Sequence, residues 1–463
     1  MDPNERAKML GEGKILSLIW KFSIPAIVGM LTNALYNVVD RVFLGRGVGS
    51  LALAGITVCF PIQTVMMAFS MLIGVGSATL ISIRLGQGKK EEASRILGQA
   101  VLFMIIIFGV FTVVGLLLLD KMLFLFGATE TNLPYAREYM SVILLGSMFY
   151  AFGMGLNFSI RAEGNPRIAM ATMLIGGVLN IILDPIFIYV LNKGIWGAAV
   201  ATVISQMVSA IWVLTYFTRG QGVIRLQWRH LRVEWRLARQ VFTNGSASFA
   251  LQLVNSLMNV ILNQSLKTYG REYSGGDTAI SAMGIIQSVF TFVLMPIFGL
   301  NHGLQPIFGY NYGARKIDRV FQTLKYGYLF ATCICTASFL VLRFFPAPII
   351  QIFNKTDTEL LEMTVHAAFF YSLMIPVIGV QIVSVGFFQA LGKPKSAMFL
   401  SLSRQILFLI PLLLLLPRFF KLDGIWYSFP ICDALSFVVA VAFVTRETKK
   451  LRGLSTRQVE GNL

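Results

Sequence analysis

The sequence is poor in charged residues and in the side chains that most often carry catalysis. Only 13% of its 463 residues are charged, against about 25% in ordinary soluble domains. It has three histidines and four cysteines, and none of them stands in the spacing of a metal site. Because no nucleophile, base or metal set can be assembled, an integral-membrane enzyme is disfavoured. We expect no cofactor and no metal other than a coupling ion.

Acidic residues are scarcer than basic ones, which leaves a formal net charge of +17. This excess does not indicate nucleic acid binding, because no basic stripe interleaved with aromatics lies outside the apolar runs. The first residues, MDPNERAKMLGEGK, lack the apolar core of a signal peptide. We therefore expect the first apolar run to serve as the insertion signal, and no nucleic-acid partner.

Apolar runs separated by short polar loops make up most of the chain, and 56% of the residues are hydrophobic. A bilayer core of about 30 Å needs about 20 helical residues. The pattern predicts an all-α polytopic membrane protein with twelve transmembrane helices. They are expected at about 15–40, 51–83, 96–119, 134–158, 168–191, 195–218, 240–268, 278–310, 321–345, 362–388, 396–416 and 424–445.

Lysine and arginine alternate between loops rich and poor in positive charge. By the positive-inside rule, this alternation places both termini in the cytoplasm of a multi-pass protein of the cell membrane. The loops predicted inside hold Arg84, Lys89, Lys90 and Arg95; Arg161 and Arg167; the cluster from Arg219 to Arg239; Arg315, Lys316 and Arg319; Lys393 and Lys395; and the tail from Arg446 to Arg457.

The chain contains an internal repeat. RAEGNPRIAM from residue 161 matches QALGKPKSAM from residue 389, and GIW recurs at 194 and 424, with offsets of about 227 to 230 residues. We predict an N-lobe at 1–219, a basic cytoplasmic connector at 220–238, and a C-lobe with a cytoplasmic tail at 239–463. Parallel repeats of this kind build many secondary transporters, with the substrate between them.

The stretch GGVLNIILDPIFIY, from Gly176 to Tyr189, places a carboxylate inside a predicted span. Asp184 and Asn180 lie four residues apart and therefore on one helix face. Pro185 has no N–H for the carbonyl of Ile181, which leaves an acceptor nearby. Carboxylates at this depth usually mark an ion or proton path, so we predict a site for H⁺ or Na⁺.

The first predicted span carries a polar stripe at helical spacing, formed by Asn33, Tyr36, Asn37 and Asp40, and a kink is expected at Pro25. Asp40 lies either in this stripe facing the cavity or at the interface, paired with its neighbour. Thr202 in the sixth span offers a hydroxyl, although threonine often bonds back to its own helix.

The two halves differ at this cluster. Asp184 aligns with Leu412 and Asn180 with Phe408, so the polar site belongs to the first half alone. In the second half, the polar side chains of the seventh span are amides and not carboxylates. Arg404 and Asp433, in the last two spans, are expected to form an ion pair that is either structural or substrate-facing. Candidates for a pliable substrate cavity, besides Asn33, Tyr36 and Asn37, are Met66, Met67, Asn255, Asn259, Met283 and Gln287.

Together YNVVDRVFLGRGVGSLALAG, the LGxG loop, the paired xGxPxxAM segments and NxxxDP resemble the MATE family of multidrug and toxin extruders, and most closely its DinF-like branch and the MepA-type members. The resemblance covers essentially the whole chain in two six-helix bundles. It implies that Asp40, Asn180, Asp184 and Thr202 bind the coupling cation or proton, and that Pro25 matches the proline associated with bending of the first helix. The carboxylate that the NorM-like branch uses in span seven has no counterpart here.

The sequence thus predicts a secondary antiporter that exports amphipathic or cationic organic compounds in exchange for H⁺ or Na⁺ by alternating access, acting as a monomer in the lipid bilayer. The alternative is a flippase for a lipid-linked oligosaccharide or another amphiphile. Flippases of this superfamily tend to have more spans and a strongly charged central cavity, which this chain lacks.

Overall fold

The computed structural model describes residues 3–48, 50–220, 222–271, 276–353 and 357–460, and the regular structure in these ranges is helical. The α-helices are α1 Pro3–Glu12, α2 Ile15–Gly47, α3 Ser50–Gly86, α4 Lys90–Leu117, α5 Leu119–Leu125, α6 Leu133–Leu145, α7 Ser147–Tyr150, α8 Leu156–Ala162, α9 Pro166–Pro185, α10 Gly194–Thr218, α11 Trp235–Tyr269, α12 Asp277–Gly313, α13 Ile317–Phe344, α14 Pro346–Gln351, α15 Thr358–Ser372, α16 Ile375–Ala390, α17 Pro394–Leu402 and α18 Ile410–Glu460. Short π-helical segments at Ala151–Gly155, Ile186–Val190 and Ser403–Leu409 join several of them.

The helices account for the predicted spans. In the described residues, nine helical runs are long and apolar enough to cross a membrane, and two bent helix pairs raise the number to eleven. One of the nine runs, Pro394–Gly453, is 60 residues long and contains two helices joined at Lys421, where φ is 51° and ψ is −131°. Counting these two separately gives the twelve predicted spans of a multi-pass membrane protein.

Two spans predicted as continuous are bent. The fourth breaks by 58° between α6 and α7, and the tenth by 52° between α15 and α16. At the first break a Cβ on Gly146 would lie 2.4 Å from Val203, so the side chain of α10 occupies the space that a larger residue would need. At the second, Pro376 stands in the first turn of α16, where it lacks the N–H that a continuous helix requires.

The loops predicted to be basic meet at one end of the bundle. Salt bridges hold them there, joining Arg84 to Glu92, Arg95 to Glu234, Arg229 to Glu91 and Lys393 to Glu447. The connector also folds back on the first half, because Gln99 donates to the carbonyl of Arg232 at 2.5 Å. Arg161, assigned to a loop from the sequence, is instead buried in α8 with 5% of its surface exposed.

Glycines bring the two halves into backbone contact near this basic end. A Cβ on Gly245 of α11 would lie 1.8 Å from the carbonyl oxygen of Leu72, and one on Gly86 of α3 would lie 2.0 Å from that of Tyr310. The contacts continue along the helices as far as the Phe69–Phe249 ring pair, with centroids 5.0 Å apart. The halves are therefore tightly joined from the basic end to about the middle of α3 and α11.

Helix α2 packs on both halves. Its first turns, with Ile15, Leu18, Ile19 and Phe22, belong to a buried apolar cluster whose other members, apart from Leu10 of α1, come from residues 247–451. Further along, a Cβ on Gly177 of α9 would meet the methyl group of Thr32 at 3.0 Å. Helix α2 runs unbroken through Pro25, and a bend at that proline remains a prediction.

Candidate functional site in the first half

Helices α2, α9 and α10 bring together the four residues predicted to bind the coupling ion, Asp40, Asn180, Asp184 and Thr202, which we call the coupling cluster. Asn180 Nδ2 donates to Asp184 Oδ1 at 3.0 Å and approaches Thr202 Oγ1 at 3.4 Å. Asp184 is fully buried and Asn180 is 3% exposed. The four-residue spacing read from the sequence therefore places both side chains on the inner face of α9.

Asp40 reaches the cluster from α2. Its carboxyl group lies close enough to that of Asp184 for the two to interact electrostatically. The side chain of Tyr36, one turn earlier, lies 3.6 Å from the Cβ position of Gly177 on α9. Of the two placements considered for Asp40, the structure has the one in which the polar stripe faces Asp184.

The end of α9 is shaped by Pro185. Because this residue has no N–H, the regular hydrogen-bond ladder stops, and the chain continues as the π-helical segment Ile186–Val190. The amide oxygen Oδ1 of Asn180 is buried and accepts no hydrogen bond from the described residues. Carboxylate, amide and hydroxyl oxygens are the ligands that hard cations prefer, so the cluster could hold a proton or a small cation.

Three further polar residues, Gln63, Tyr139 and Tyr150, line this region, and the sequence analysis did not single them out. Tyr139 is 4% exposed and interacts electrostatically with Asp40. It also accepts a hydrogen bond at 3.4 Å from Gln63 of α3. Tyr150 interacts with Tyr36. A polar or phenolic side chain within a predicted span was the available signal, but no fixed spacing linked these residues to Asp40.

In the second half, the three amides predicted for the cavity, Asn255, Asn259 and Gln287, form one network with Gln252 and Gln405, which we call the amide row. Gln405 donates to Asn255 Oδ1 at 2.8 Å, and Gln287 donates to Asn259 Oδ1 at 3.3 Å. Asn255 and Asn259 are partly exposed. Gln405 stands on the π-helical segment after α17, and nothing in its sequence context pointed to it.

The predicted pair between Arg404 and Asp433 is confirmed. Arg404 Nε donates to Asp433 Oδ1 at 2.8 Å, with 3% of the Asp433 side chain exposed. Where the first half has its coupling cluster, Phe408 and Leu412 pack against an apolar core. The buried carboxylate of the second half is therefore already neutralised by a fixed cation.

The remaining candidates are placed as follows. Met66 and Met283 are 3% and 2% exposed and fill the cores of their own halves. Met67 and Asn33 are partly exposed. Asn37 lies on α2, but its side chain is outside the part of the structure that is described. In this conformation Met66 and Met283 thus contribute packing and line no open cavity.

Comparison with known proteins identifies the family. The family described as MatE matches residues 25–186 and again residues 250–415. These two matched segments correspond to the two halves related by the internal repeat in the sequence. The chain is 26% identical to the multidrug export protein MepA of Staphylococcus haemolyticus (strain JCSC1435), over 94% of each chain.

Solved structures agree with this relationship. The MATE multidrug transporter DinF-BH, solved in complex with R6G, is 40% identical over 93% of this chain and 95% of its own, with a TM-score of 0.86. An outward-facing MATE family transporter of the MOP superfamily superposes with a TM-score of 0.90 over 96% of this chain and 98% of its own, at 23% identity. The relatives carry names of export proteins, not enzymes. The chain belongs to the MATE family of multidrug efflux transporters.

Proposed function

We propose that the protein is a secondary antiporter that exports amphipathic, often cationic or aromatic compounds in exchange for H⁺ or Na⁺. The observation that carries this proposal is the close approach of the Asp40 and Asp184 carboxyl groups inside the membrane region, where the two interact electrostatically. Two carboxyl groups this close cannot both stay ionised without a compensating charge. A shared proton or a bound cation supplies it.

The coupling cluster is suited to exchanging these two ions. The carboxyl groups can bind a proton directly, and the unpaired Asn180 oxygen and the Thr202 hydroxyl add neutral oxygen ligands for a sodium ion. No second site of this kind is formed in the other half at Phe408 and Leu412. Coupling is therefore assigned to the first half alone.

Helix α2 offers a route from the cluster to the lobes. Its first turns pack against the second half, whereas Asp40 near its other end contacts Asp184 of the first half. A change in the charge of the cluster alters the contacts of α2 with α9, and so it can favour one relative position of the lobes over another. Alternating access would then be a rocking of residues 1–219 against 239–463.

We place the substrate between the lobes, towards the end away from the basic loops. There the first half contributes the polar stripe of α2 together with Tyr139 and Tyr150. The second half contributes the hydrogen-bond donors and acceptors of the amide row. These groups, with little fixed charge, suit varied amphipathic cations. The relatives' names speak of multidrug export for MepA and of a complex with R6G for the multidrug transporter DinF-BH. The basic end is assigned to the cytoplasm, with both termini, and the protein is proposed to act as a monomer.

The test is dye efflux from proteoliposomes under a pH gradient or a sodium gradient, imposed one at a time. Asp184→Asn keeps the shape of the side chain and removes its charge, so gradient-driven efflux should fall to the level of empty liposomes. Asp40→Asn should behave in the same way. The control is Asp120→Asn, which breaks a solvent-exposed pair with Arg137 and should keep wild-type transport.

The two ions are distinguished by which gradient drives the wild-type protein. A folded Asp184→Asn protein that still responds fully to both gradients would refute the assignment of coupling to this cluster. If the wild-type protein moved no dye under either gradient, but moved a labelled lipid-linked oligosaccharide between leaflets, the flippase alternative would replace the antiporter.

A further inference from the structure

A second polar site lies apart from the coupling cluster, at the junction of the two halves. A small cavity there is lined by Thr79 and Ser82 of α3, Arg161 of α8, and His302 and Gln305 of α12. It lies close to the glycine contacts, since a Cβ on Gly309 would meet the Ser82 hydroxyl at 2.6 Å. Both halves therefore contribute walls, and several polar side chains, to one small cavity.

Arg161 is the unusual member of this cavity. It is 5% exposed, and within the described residues no carboxylate oxygen lies within 4.0 Å of it. Its Nε and Nη2 atoms both donate to the Oδ1 atom of Asn157, at 3.0 and 2.5 Å. Nη1 is buried and has no hydrogen-bond partner in the described part of the chain.

A buried guanidinium cannot neutralise itself by losing a proton, because its intrinsic pKa lies above about 12. Burying an uncompensated charge is costly, so buried cations are normally paired. The contacts that Arg161 does make, with an amide oxygen, the Met173 sulfur at 3.4 Å and the Phe158 ring at 5.4 Å, supply partial charges only. Among the described residues, no full negative charge contacts this guanidinium.

The cavity walls also present neutral hydrogen-bonding groups. The Nδ1 atom of His302 is buried without a partner in the described residues, and its ring packs edge-on against Phe158, with centroids 5.3 Å apart. The Gln305 amide reaches Gln389 at 3.4 Å, and the Thr79 hydroxyl completes the wall. The space has room for only about one or two water-sized species. An organic substrate would not fit.

We propose that this cavity binds one small inorganic anion, of the size of chloride, with the Arg161 guanidinium as its charged donor. Because the anion would touch residues of both halves, it would stabilise the conformation in which the halves are joined at the basic end. The binding does not depend on the antiport reaction. A failed transport assay therefore leaves the anion site standing, and the reverse is also true.

The first test is equilibrium binding of radioactive chloride to the purified protein, at constant ionic strength with gluconate as the replacing anion. We expect saturable binding of one chloride per chain. Arg161→Gln removes the charged donor and should weaken binding at least about tenfold, since hydrogen bonds to charged groups contribute about 1.5–3 kcal/mol. Lys193→Gln, which removes one positive charge from an exposed loop position, is the control and should bind chloride as the wild type does.

The second test does not require any variant to fold. Bromide soaked into crystals of the wild-type protein should give an anomalous peak beside Nη1 of Arg161, and chloride should raise the thermal unfolding midpoint with the same half-saturation as its binding. Absence of saturable chloride binding, a bromide peak elsewhere, or full chloride binding by folded Arg161→Gln would each overturn the proposal.

Discussion

Replacing Gly245 by alanine tests how rigidly the two halves are joined. The new Cβ would lie 1.8 Å from the Leu72 carbonyl oxygen and 2.6 Å from its carbon. Backbone atoms cannot rotate away as a side chain can, so α3 and α11 must separate by at least about 1.6 Å to restore an ordinary contact. Overpacking of this kind costs about 1–3 kcal/mol, which shifts an equilibrium between joined and separated lobes by roughly 5- to 150-fold.

The assay is a distance measurement between spin labels on opposite halves. In a background without cysteine, labels at Lys90 and Asp318 report on the basic end, where both positions are exposed. Gly245→Ala should move part or all of the distance distribution to longer values. Gly284→Ala is the matched control, because nothing lies within 4 Å of its Cβ position, and it should leave the distribution unchanged. A folded Gly245→Ala protein with wild-type distances and wild-type thermal stability would refute the reasoning.

The remaining predictions concern the charges, the topology and the cavity. Asp433→Asn leaves the Arg404 cation without its partner and should destabilise the protein by about 3–5 kcal/mol, measured by unfolding the protein in detergent solution. Replacing both residues by leucine should cost less stability than this single change. Equal losses for the two variants would show that the pair contributes nothing beyond packing. Cysteines introduced at Lys90 and Arg229 should react with impermeant reagents only from the cytoplasmic side, and labelling from outside intact cells would contradict the assigned orientation. Single alanine substitutions in the amide row should change which dyes are exported more than the overall rate, whereas an equal loss for every dye would indicate a structural role.

The sequence alone determined the architecture and half of the site. Apolar runs of bilayer length can be satisfied only as helices, since lipid offers no partners for exposed backbone groups, and the repeated segments fixed a two-fold arrangement of spans. The spacing of Asn180 and Asp184 put them on one face because the helix period is local. The pairing of Arg404 with Asp433 could be inferred because a buried charge needs a partner and few were available.

Only the tertiary structure decided which surfaces meet. Asp40 and Asp184 are far apart in the chain, and their contact depends on how α2 crosses α9, which no local pattern encodes. For the same reason, only the folded structure shows that Tyr139 lies beside the coupling cluster and that Gln405 belongs to the amide row. Arg161 shows the limit most plainly, because its position beside a loop predicted exposure, whereas packing against α3 and α12 buries it in a cavity between the halves. Burial is a property of the assembled helices, and it is burial that turns an ordinary arginine into a candidate binding site.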